Sequence, residues 1–272
     1  MSTIQVKITA SPELSDILVA ELGEIQFDIF EDSESGVIAY CPEVDFSAEA
    51  LTEIMSRYGL ETYETNRIEK QNWNEVWESN YDPIRIEDLV LIRASFHPSE
   101  PGFQMEVVIN PKMSFGTGHH ATTWQMMKQM QQIDFNNKTV FDFGCGTGVL
   151  AILAEKLGAT NIVAIDNDEI CVENSLENVT NNHCKNIRVE KATAPPEEKK
   201  FDIILANINR HILLATMGTM AAALNNNGYL LISGFYAAED ELLIDAANSQ
   251  QLQLQQSSER NQWSCLLFSK QA

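Results

Sequence analysis

Long apolar runs are missing from this chain of 272 residues. The sequence contains no stretch of about 18 consecutive apolar residues, the length that a membrane-spanning helix needs. Its first residues, Met1 to Gln5, form neither a basic leader nor the apolar core of a signal peptide. We therefore expect a soluble cytoplasmic protein without a membrane partner.

Cysteine is scarce and irregularly spaced. The five cysteines are an odd number, lie far apart and include no Cys-x-x-Cys pair. A disulfide framework or a zinc site requires more regular spacing, so neither is predicted. His119 and His120 are adjacent, but no further metal-ligating residues lie near them in sequence, and we predict no metal site.

Basic residues are few as well. Lys and Arg number 18 against 39 Asp and Glu, which gives a formal net charge of -21. Affinity for a phosphate backbone comes from Lys and Arg, so we expect a basic protein as partner rather than a nucleic acid. The segment 1–65 contains 14 Asp and Glu but only two basic residues, Lys7 and Arg57. This excess of acid fits either solubility or electrostatic steering of a basic partner.

The same amino-terminal segment alternates short strands with short amphipathic helices. Ile4 to Thr9 predicts a strand, and Ser11-Pro12 then supplies an N-cap and a first-turn proline for a helix. Two more strands, a second helix and a last strand complete a βαββαβ order. Residues 1–65 are therefore predicted to form a small α+β ferredoxin-like domain, which we expect to recognise the substrate.

Residues 66–81 are predicted to form a linker helix. Trp73 and Trp77 lie four residues apart and so share one side of it, where packing on a neighbouring domain is the favoured role. Residues 82–272 form the larger predicted domain. It begins with two strand-like runs, the first from Ile84 to Ala94, and helices and strands then alternate as a doubly wound α/β sheet requires.

A glycine-rich turn follows one of these strands. The segment Gly144-Cys145-Gly146-Thr147-Gly148 leads into a helix, and Asp166 follows 22 residues after Gly144 at the end of the next strand. Glycines let the chain turn sharply and let a ligand touch the backbone, and the helix N-terminus offers unpaired N–H groups. A carboxylate at the position of Asp166 can accept both hydroxyls of a ribose. These features together predict a site for an adenosine-type cofactor.

The glycine spacing selects among such cofactors. Dinucleotide sites use Gly-x-Gly-x-x-Gly, which leaves room for a pyrophosphate, and this disfavours a nicotinamide-dependent dehydrogenase. Asp142, two residues before the turn, would also repel a pyrophosphate. S-adenosylmethionine has no phosphate and carries a sulfonium and an ammonium, so nearby acids favour it. The segment resembles the cofactor turn of class I methyltransferases.

Two other segments extend this pattern. Asn110 to Thr123 is a glycine-rich loop that enters a helix, and Phe201 to Asn209 is an apolar strand with Asn207 near its carboxyl end. Ligands of open α/β sheets lie outside the carboxyl ends of the strands, so Asn207 is expected beside the reacting methyl, where its carbonyl oxygen can accept from an amine. A helix N-cap is the alternative role for this asparagine.

In their order and spacing, these motifs resemble those of bacterial methyltransferases of ribosomal protein L11. The resemblance rests on Phe115 to Thr123, Asp142 to Gly148, Asp166 and Ala206-Asn207-Ile208. The Trp73 and Trp77 pair and the run Pro83-Ile84-Arg85-Ile86 also match, whereas the segment 1–65 matches only in organisation. The chain departs from the family pattern at His119, Ala121 and Asn209.

The resemblance implies a seven-stranded, doubly wound Rossmann-like methyltransferase sheet. It also implies that Thr123, Gly144, Gly146, Asp166 and Asn207 contact S-adenosylmethionine, and that lysine side chains and the amino terminus of the ribosomal protein receive the methyl groups. Two alternatives stay open. One is a class I methyltransferase that acts on a glutamine amide or a nucleic-acid base, and the other is a non-catalytic cofactor-binding factor for ribosome assembly.

Overall fold

A computed structural model describes residues 2–33, 36–68, 81–110, 115–196 and 199–271. The chain divides into two compact units, Met1–Asn80 and Tyr81–Ala272. Most of the predicted linker helix, including Trp73 and Trp77, lies outside the described residues. Its first three residues, 66–68, belong to a strand.

The first unit is a four-stranded antiparallel sheet with two helices. Its elements are β1 (Thr3–Thr9), α1 (Pro12–Glu24), β2 (Ile29–Ser33), β3 (Gly36–Pro42), α2 (Ala48–Arg57) and β4 (Tyr63–Ile68). The strand order is β2-β3-β1-β4, which is the ferredoxin-like arrangement that the sequence predicted. Ser11 caps α1 as expected, since its side chain accepts from the backbone N–H of Leu14.

Apolar residues at alternate positions of β1 form the core of this unit. Ile4, Val6 and Ile8 are buried and pack with Leu18 of α1 and Leu51 of α2. Successive side chains of a strand point to opposite faces, so one face of β1 faces the helices.

The second unit begins with a three-stranded sheet of β5 (Ile84–Ile86), β6 (Val90–Arg93) and β7 (Met105–Val108). The single strand predicted from Ile84 to Ala94 is therefore wrong. A turn divides it, in which the Leu89 N–H donates to the Ile86 carbonyl and Glu87 adopts a φ of 51°. Buried apolar residues continue on both sides of this turn, so hydrophobic periodicity alone does not reveal it.

Seven strands form the main sheet in the described part of the second unit, as predicted. They are β8 (Thr139–Phe143), β9 (Asn161–Asp166), β10 (Ile187–Lys191), β11 (Phe201–Asn207), β12 (Leu224–Tyr236), β13 (Leu252–Arg260) and β14 (Trp263–Lys270). The flanking helices are α3 (Ala121–Met130), α4 (Val149–Lys156), α5 (Glu169–Asn181), α6 (Arg210–Ala223) and α7 (Asp240–Asn248).

The strand order β10-β9-β8-β11-β12-β14-β13 determines where the sheet can bind a ligand. All neighbours are parallel except β14, which is antiparallel to β12 and β13. The chain runs outward from β8 through β9 to β10, and the return to β11 on the other side of β8 creates a topological switch point. The carboxyl ends of β8, β9 and β11 therefore meet where such sheets bind ligands.

The central strands of the main sheet are buried on both faces. Val140 and Ile162 pack in one apolar cluster, whereas their neighbours Phe141 and Val163 pack in another. A parallel strand covered on both faces reads as a continuous apolar run, which is why these strands were recognisable in sequence. No helix in the described residues is both long and apolar enough to span a membrane.

Candidate active site

A cavity of about 660 Å³ lies at the carboxyl ends of these central strands. Gly144 and Gly146 follow β8, Asp166 ends β9, and Asn207 ends β11, and all four line the cavity. The fold thus brings together four of the five residues that the sequence predicted for the cofactor site. The fifth, Thr123, is fully buried and is not at the cavity surface, which its neighbour Thr122 reaches instead.

The glycine turn has a left-handed backbone at all three glycines, with φ of 74°, 54° and 79° at Gly144, Gly146 and Gly148. A Cβ on Gly144 would lie 2.3 Å from Ile208 Cγ2, and one on Gly146 would lie 2.3 Å from the Phe115 carbonyl oxygen. From the sequence we expected a ligand to occupy the space beside these glycines. At these two glycines, protein atoms occupy it, so both the backbone conformation and the packing require glycine.

Asp166 fastens the end of β9 to the glycine turn. Its Oδ2 accepts from the Gly146 N–H at 2.9 Å, and its Oδ1 accepts from the Asp168 N–H at 3.0 Å. A carboxylate oxygen can accept more than one hydrogen bond, so each oxygen keeps acceptor capacity for a ribose hydroxyl. Asp166 therefore orders the turn and remains able to bind a ligand in the cavity that it lines.

The side chain of Asn207 is oriented by Thr123, which does not line the cavity. Its Nδ2 donates to Thr123 Oγ1 at 3.1 Å, and its buried Oδ1 has no hydrogen-bond partner among the described residues. The alternative role as a helix cap belongs to Asn209, whose Oδ1 accepts from the Ile212 N–H at 3.1 Å. Asn207 is thus left with an unused acceptor on a residue that lines the cavity.

Asp142 lies beneath the turn and is fully buried. Its Oδ2 accepts from the Ala151 N–H at 3.1 Å in α4, and its Oδ1 has no partner among the described residues. Burial, with a smaller contribution from the charge of Asp166, raises the pKa of Asp142 to about 7. Asp142 is not among the residues that line the cavity, and its raised pKa favours the neutral carboxyl over the charge that the sequence analysis expected.

Aromatic residues complete the cavity, and the sequence analysis did not predict them. Phe115 and His120 come from the loop before α3, and Trp263 comes from the start of β14. His120 also caps α3, because its Nδ1 accepts from the Thr122 N–H at 3.3 Å, and burial lowers the pKa of its imidazole. Trp263 reaches the site only through the long-range pairing of β14 with β12, which local sequence patterns do not reveal.

The charges of the cavity favour a cation. Its described lining includes the carboxylates of Asp166 and Asp168 but neither lysine nor arginine. A pyrophosphate would lack a cationic partner there, whereas a sulfonium and an ammonium would be attracted. No cluster of three or more His, Cys, Asp or Glu side chains that could hold a metal ion occurs in the described part of the chain.

Comparisons with known proteins agree with this arrangement. The family model described as Ribosomal protein L11 methyltransferase (PrmA) matches residues 6–271. The chain is 44% identical over 260 residues to the Ribosomal protein L11 methyltransferase of Porphyromonas gingivalis, covering 93% of this chain and 90% of the relative. It is 38% identical to that of Phocaeicola vulgatus, covering 98% and 99%.

Two solved structures are also similar to this chain. A ribosomal protein L11 methylase from Lactobacillus delbrueckii subsp. bulgaricus superposes with a TM-score of 0.65 at 27% identity, over 71% of this chain and 100% of that one. A methyltransferase from Pyrococcus furiosus has a TM-score of 0.52 at 15% identity, over 61% of this chain and 90% of that one, and shares the fold.

Proposed function

This chain belongs to the ribosomal protein L11 methyltransferase family, and we propose that it transfers methyl groups from S-adenosylmethionine to amine nitrogens of ribosomal protein L11. The proposed acceptors are lysine side chains and the amino terminus. Family membership supports the methyltransferase activity and its ribosomal substrate. The choice of nitrogen as the methylated atom is supported by one observation, the unpartnered Oδ1 of Asn207 in the cavity wall, which can accept from an N–H, and the motif resemblance favours an amine over an amide.

The residues of the cavity fit the proposed cofactor. Gly144 and Gly146 would contact it through the backbone, and Asp166 would accept from its ribose hydroxyls. When bound, S-adenosylmethionine supplies an electrophilic methyl carbon on a cationic sulfur. The acidic lining of the cavity supports this assignment over a dinucleotide, which would bring two phosphates.

Asn207 orients the acceptor amine. One Nδ2 proton donates to Thr123 and Oδ1 has no partner among the described residues, so Oδ1 is available to accept from a donor such as an amine N–H. A hydrogen bond from the amine to Oδ1 fixes the direction of the nitrogen lone pair. The contribution of Asn207 is therefore positioning, which accounts for much of the rate when a reaction needs one defined approach.

The acceptor amine must be neutral to react. Neutralising a lysine of pKa about 10.4 at pH 7 costs roughly 4 to 5 kcal/mol, whereas an amino terminus of pKa about 8 costs only about 1.4 kcal/mol. A cationic cofactor and partial desolvation lower the pKa of the amine. Water can then take the proton, and no protein base is required.

The first unit recognises the substrate in this proposal. We place this role in residues 1–65, with residues 66–81 as linker and residues 82–272 as the methyltransferase domain. The support is the concentration of acid, since a surface formed by a segment with 14 Asp and Glu against two basic residues attracts a basic ribosomal protein. We further propose that the enzyme acts in the cytoplasm.

Methyl transfer to purified ribosomal protein L11, followed by mass mapping of the modified residues, tests the proposed function. We expect labelled methyl groups on lysine side chains and on the amino-terminal nitrogen. Methyl groups on glutamine or on ribosomal RNA would contradict the choice of amine. A protein that binds S-adenosylmethionine and transfers no methyl group would instead be an assembly factor.

A further inference from the structure

Four aromatic rings form a continuous contact series beside Asn207. The ring centroids lie 5.3 Å apart for Phe115 and His120, 4.7 Å apart for His120 and Trp263, and 4.2 Å apart for Trp263 and Tyr236. We call Phe115, His120, Trp263 and Tyr236 the aromatic row. Its first three members line the cavity, and Tyr236 extends the row beyond it.

The row is more exposed than ordinary core packing. Phe115 is 55% exposed and Tyr236 is 48% exposed, although each is in contact with another ring of the row. Rings that serve only to stabilise a fold bury most of their surface, because burial is the source of their contribution. Exposed ring surface beside a cavity indicates a ligand-binding role.

The charges around the row suit a cationic ligand. Burial lowers the pKa of the His120 imidazole, which disfavours its cationic form. The guanidinium of Arg210 forms an ion pair with Glu239, whose other carboxylate oxygen accepts from the Tyr236 N–H at 3.0 Å. The row therefore presents aromatic rings beside an arginine whose charge Glu239 offsets.

A buried amide network fixes Trp263 in this position. Gln125 of α3 donates through Nε2 to the Trp263 carbonyl at 3.0 Å and accepts through Oε1 from Ser258 Oγ at 3.0 Å. Asn261 and Gln262 have φ of 52° and 68°, as in a type I′ hairpin turn, which sets the start of β14. The helix that presents His120 and Thr123 thus also positions Trp263.

We propose that the aromatic row binds the alkylammonium group of the target through cation–π contacts and delivers it to Asn207. This inference rests on the proposed function, because the cation is the acceptor amine in the protonated form in which it arrives; the amine leaves the row and gives its proton to water before methyl transfer. Ring faces attract alkylammonium ions within about 6 Å of the ring centroid, and methylation preserves the charge of the amine. The row therefore selects a cationic side chain over a neutral one of the same shape, which disfavours the glutamine amide.

A pair of isosteric probes tests this selectivity. The probes are the acetylated amide of trimethyllysine and its analogue in which a neutral carbon replaces the cationic nitrogen. Both are titrated by calorimetry into the full chain with S-adenosylhomocysteine in excess, so that the cofactor site is filled. We expect the ammonium probe to bind about tenfold more tightly than the carbon probe. Equal affinities would overturn the proposal.

Substitutions at Trp263 test whether the aromatic row causes the difference in affinity between the two probes. Trp263→Leu removes the ring and should abolish the difference between the probes, whereas Trp263→Phe retains a ring and should retain most of it. Trp124→Phe is the matched control, since Trp124 does not line the cavity and contacts Arg260 instead. Selectivity that survives in Trp263→Leu would overturn the proposal.

Fluorinated tryptophan covers the case in which Trp263→Leu fails to fold. Fluorine weakens the negative ring face with little change of shape, so affinity for the ammonium probe should fall while affinity for the carbon probe stays constant. A parallel fall for both probes would overturn the proposal. Methylation of L11 is assayed alongside. If L11 is methylated but the two probes bind equally, the role of the aromatic row is refuted and the proposed function stands. If the ammonium probe binds more tightly but L11 is not methylated, the proposed function is refuted and the cation binding stands.

Discussion

Asn207 and Thr123 lie 84 residues apart in sequence, yet their side chains form a buried hydrogen bond of 3.1 Å. This contact joins the carboxyl end of β11 to the first turn of α3. It orients the Asn207 amide and leaves the Oδ1 acceptor without a partner among the described residues. In the proposed mechanism Thr123 acts through Asn207 and is therefore a positioning residue.

Replacing Asn207 should affect methyl transfer more than folding. In Asn207→Ala the acceptor for the amine is lost, and we expect kcat to fall by about 10- to 100-fold. Asn209→Ala is the comparison, because it removes a helix cap and should cost about 1 kcal/mol of folding free energy. Steady-state kinetics measures the loss of methyl transfer, and thermal unfolding measures the loss of folding stability. An unchanged kcat in Asn207→Ala would refute the assigned role.

Thr123→Val tests whether the Asn207 amide needs its partner. Valine keeps the shape of threonine and removes Oγ1, so the buried Nδ2 of Asn207 loses its acceptor, at a cost of about 1 to 3 kcal/mol. We expect lower thermal stability together with a lower kcat. Thr123→Ser retains the hydroxyl and should recover most of the activity. If valine and serine behave alike, the hydrogen bond does not position Asn207.

Asp166→Ala should weaken S-adenosylmethionine binding while the fold stays intact. The substitution removes the acceptor for the ribose hydroxyls and also releases the Gly146 N–H, so we expect at least a tenfold loss of affinity, about 1.4 kcal/mol. Calorimetry measures the affinity, and circular dichroism checks the fold. Asp168→Ser keeps the cap of α5 and provides a matched control for the loss of a cavity carboxylate. Unchanged affinity in Asp166→Ala would remove the ribose assignment.

Asp142 makes folding stability depend on pH. Its pKa is about 7 in the folded protein, against an ordinary value of 3.8. Between these values the unfolded chain loses the proton and the folded chain keeps it, so stability falls as the pH rises from about 4 to about 7. The full effect is on the order of 4 kcal/mol. Denaturant titrations at several pH values should show that Asp142→Asn lacks this decline, and a parallel decline in the variant would contradict the assignment.

The sequence was sufficient to predict the elements of the main sheet. Its central strands are buried on both faces, so they appear as apolar runs, and Gly144 and Asp166 mark the ends of two of them at a recognisable spacing. The turn inside the predicted strand from Ile84 to Ala94 was missed, because Glu87 adopts a left-handed conformation without glycine. The hydrophobic pattern is the same on both sides of that turn.

The part of the site that depends on tertiary contacts could not be predicted from local patterns. Trp263 reaches the cavity through strand pairing and a buried amide from Gln125, and neither leaves a local signal. The buried contact of Thr123 with Asn207 likewise joins residues that are far apart in sequence. In contrast, Asp166 and Asn207 were identifiable because a polar residue ending an apolar strand is visible in sequence.

A crystal structure of the full chain with bound S-adenosylmethionine tests the central claim most directly. We predict that the ribose lies against Asp166 and that the methyl group points toward Asn207 and Trp263. A cofactor bound outside this cavity, or a diphosphate-containing nucleotide occupying it in preference to S-adenosylmethionine, would contradict the account.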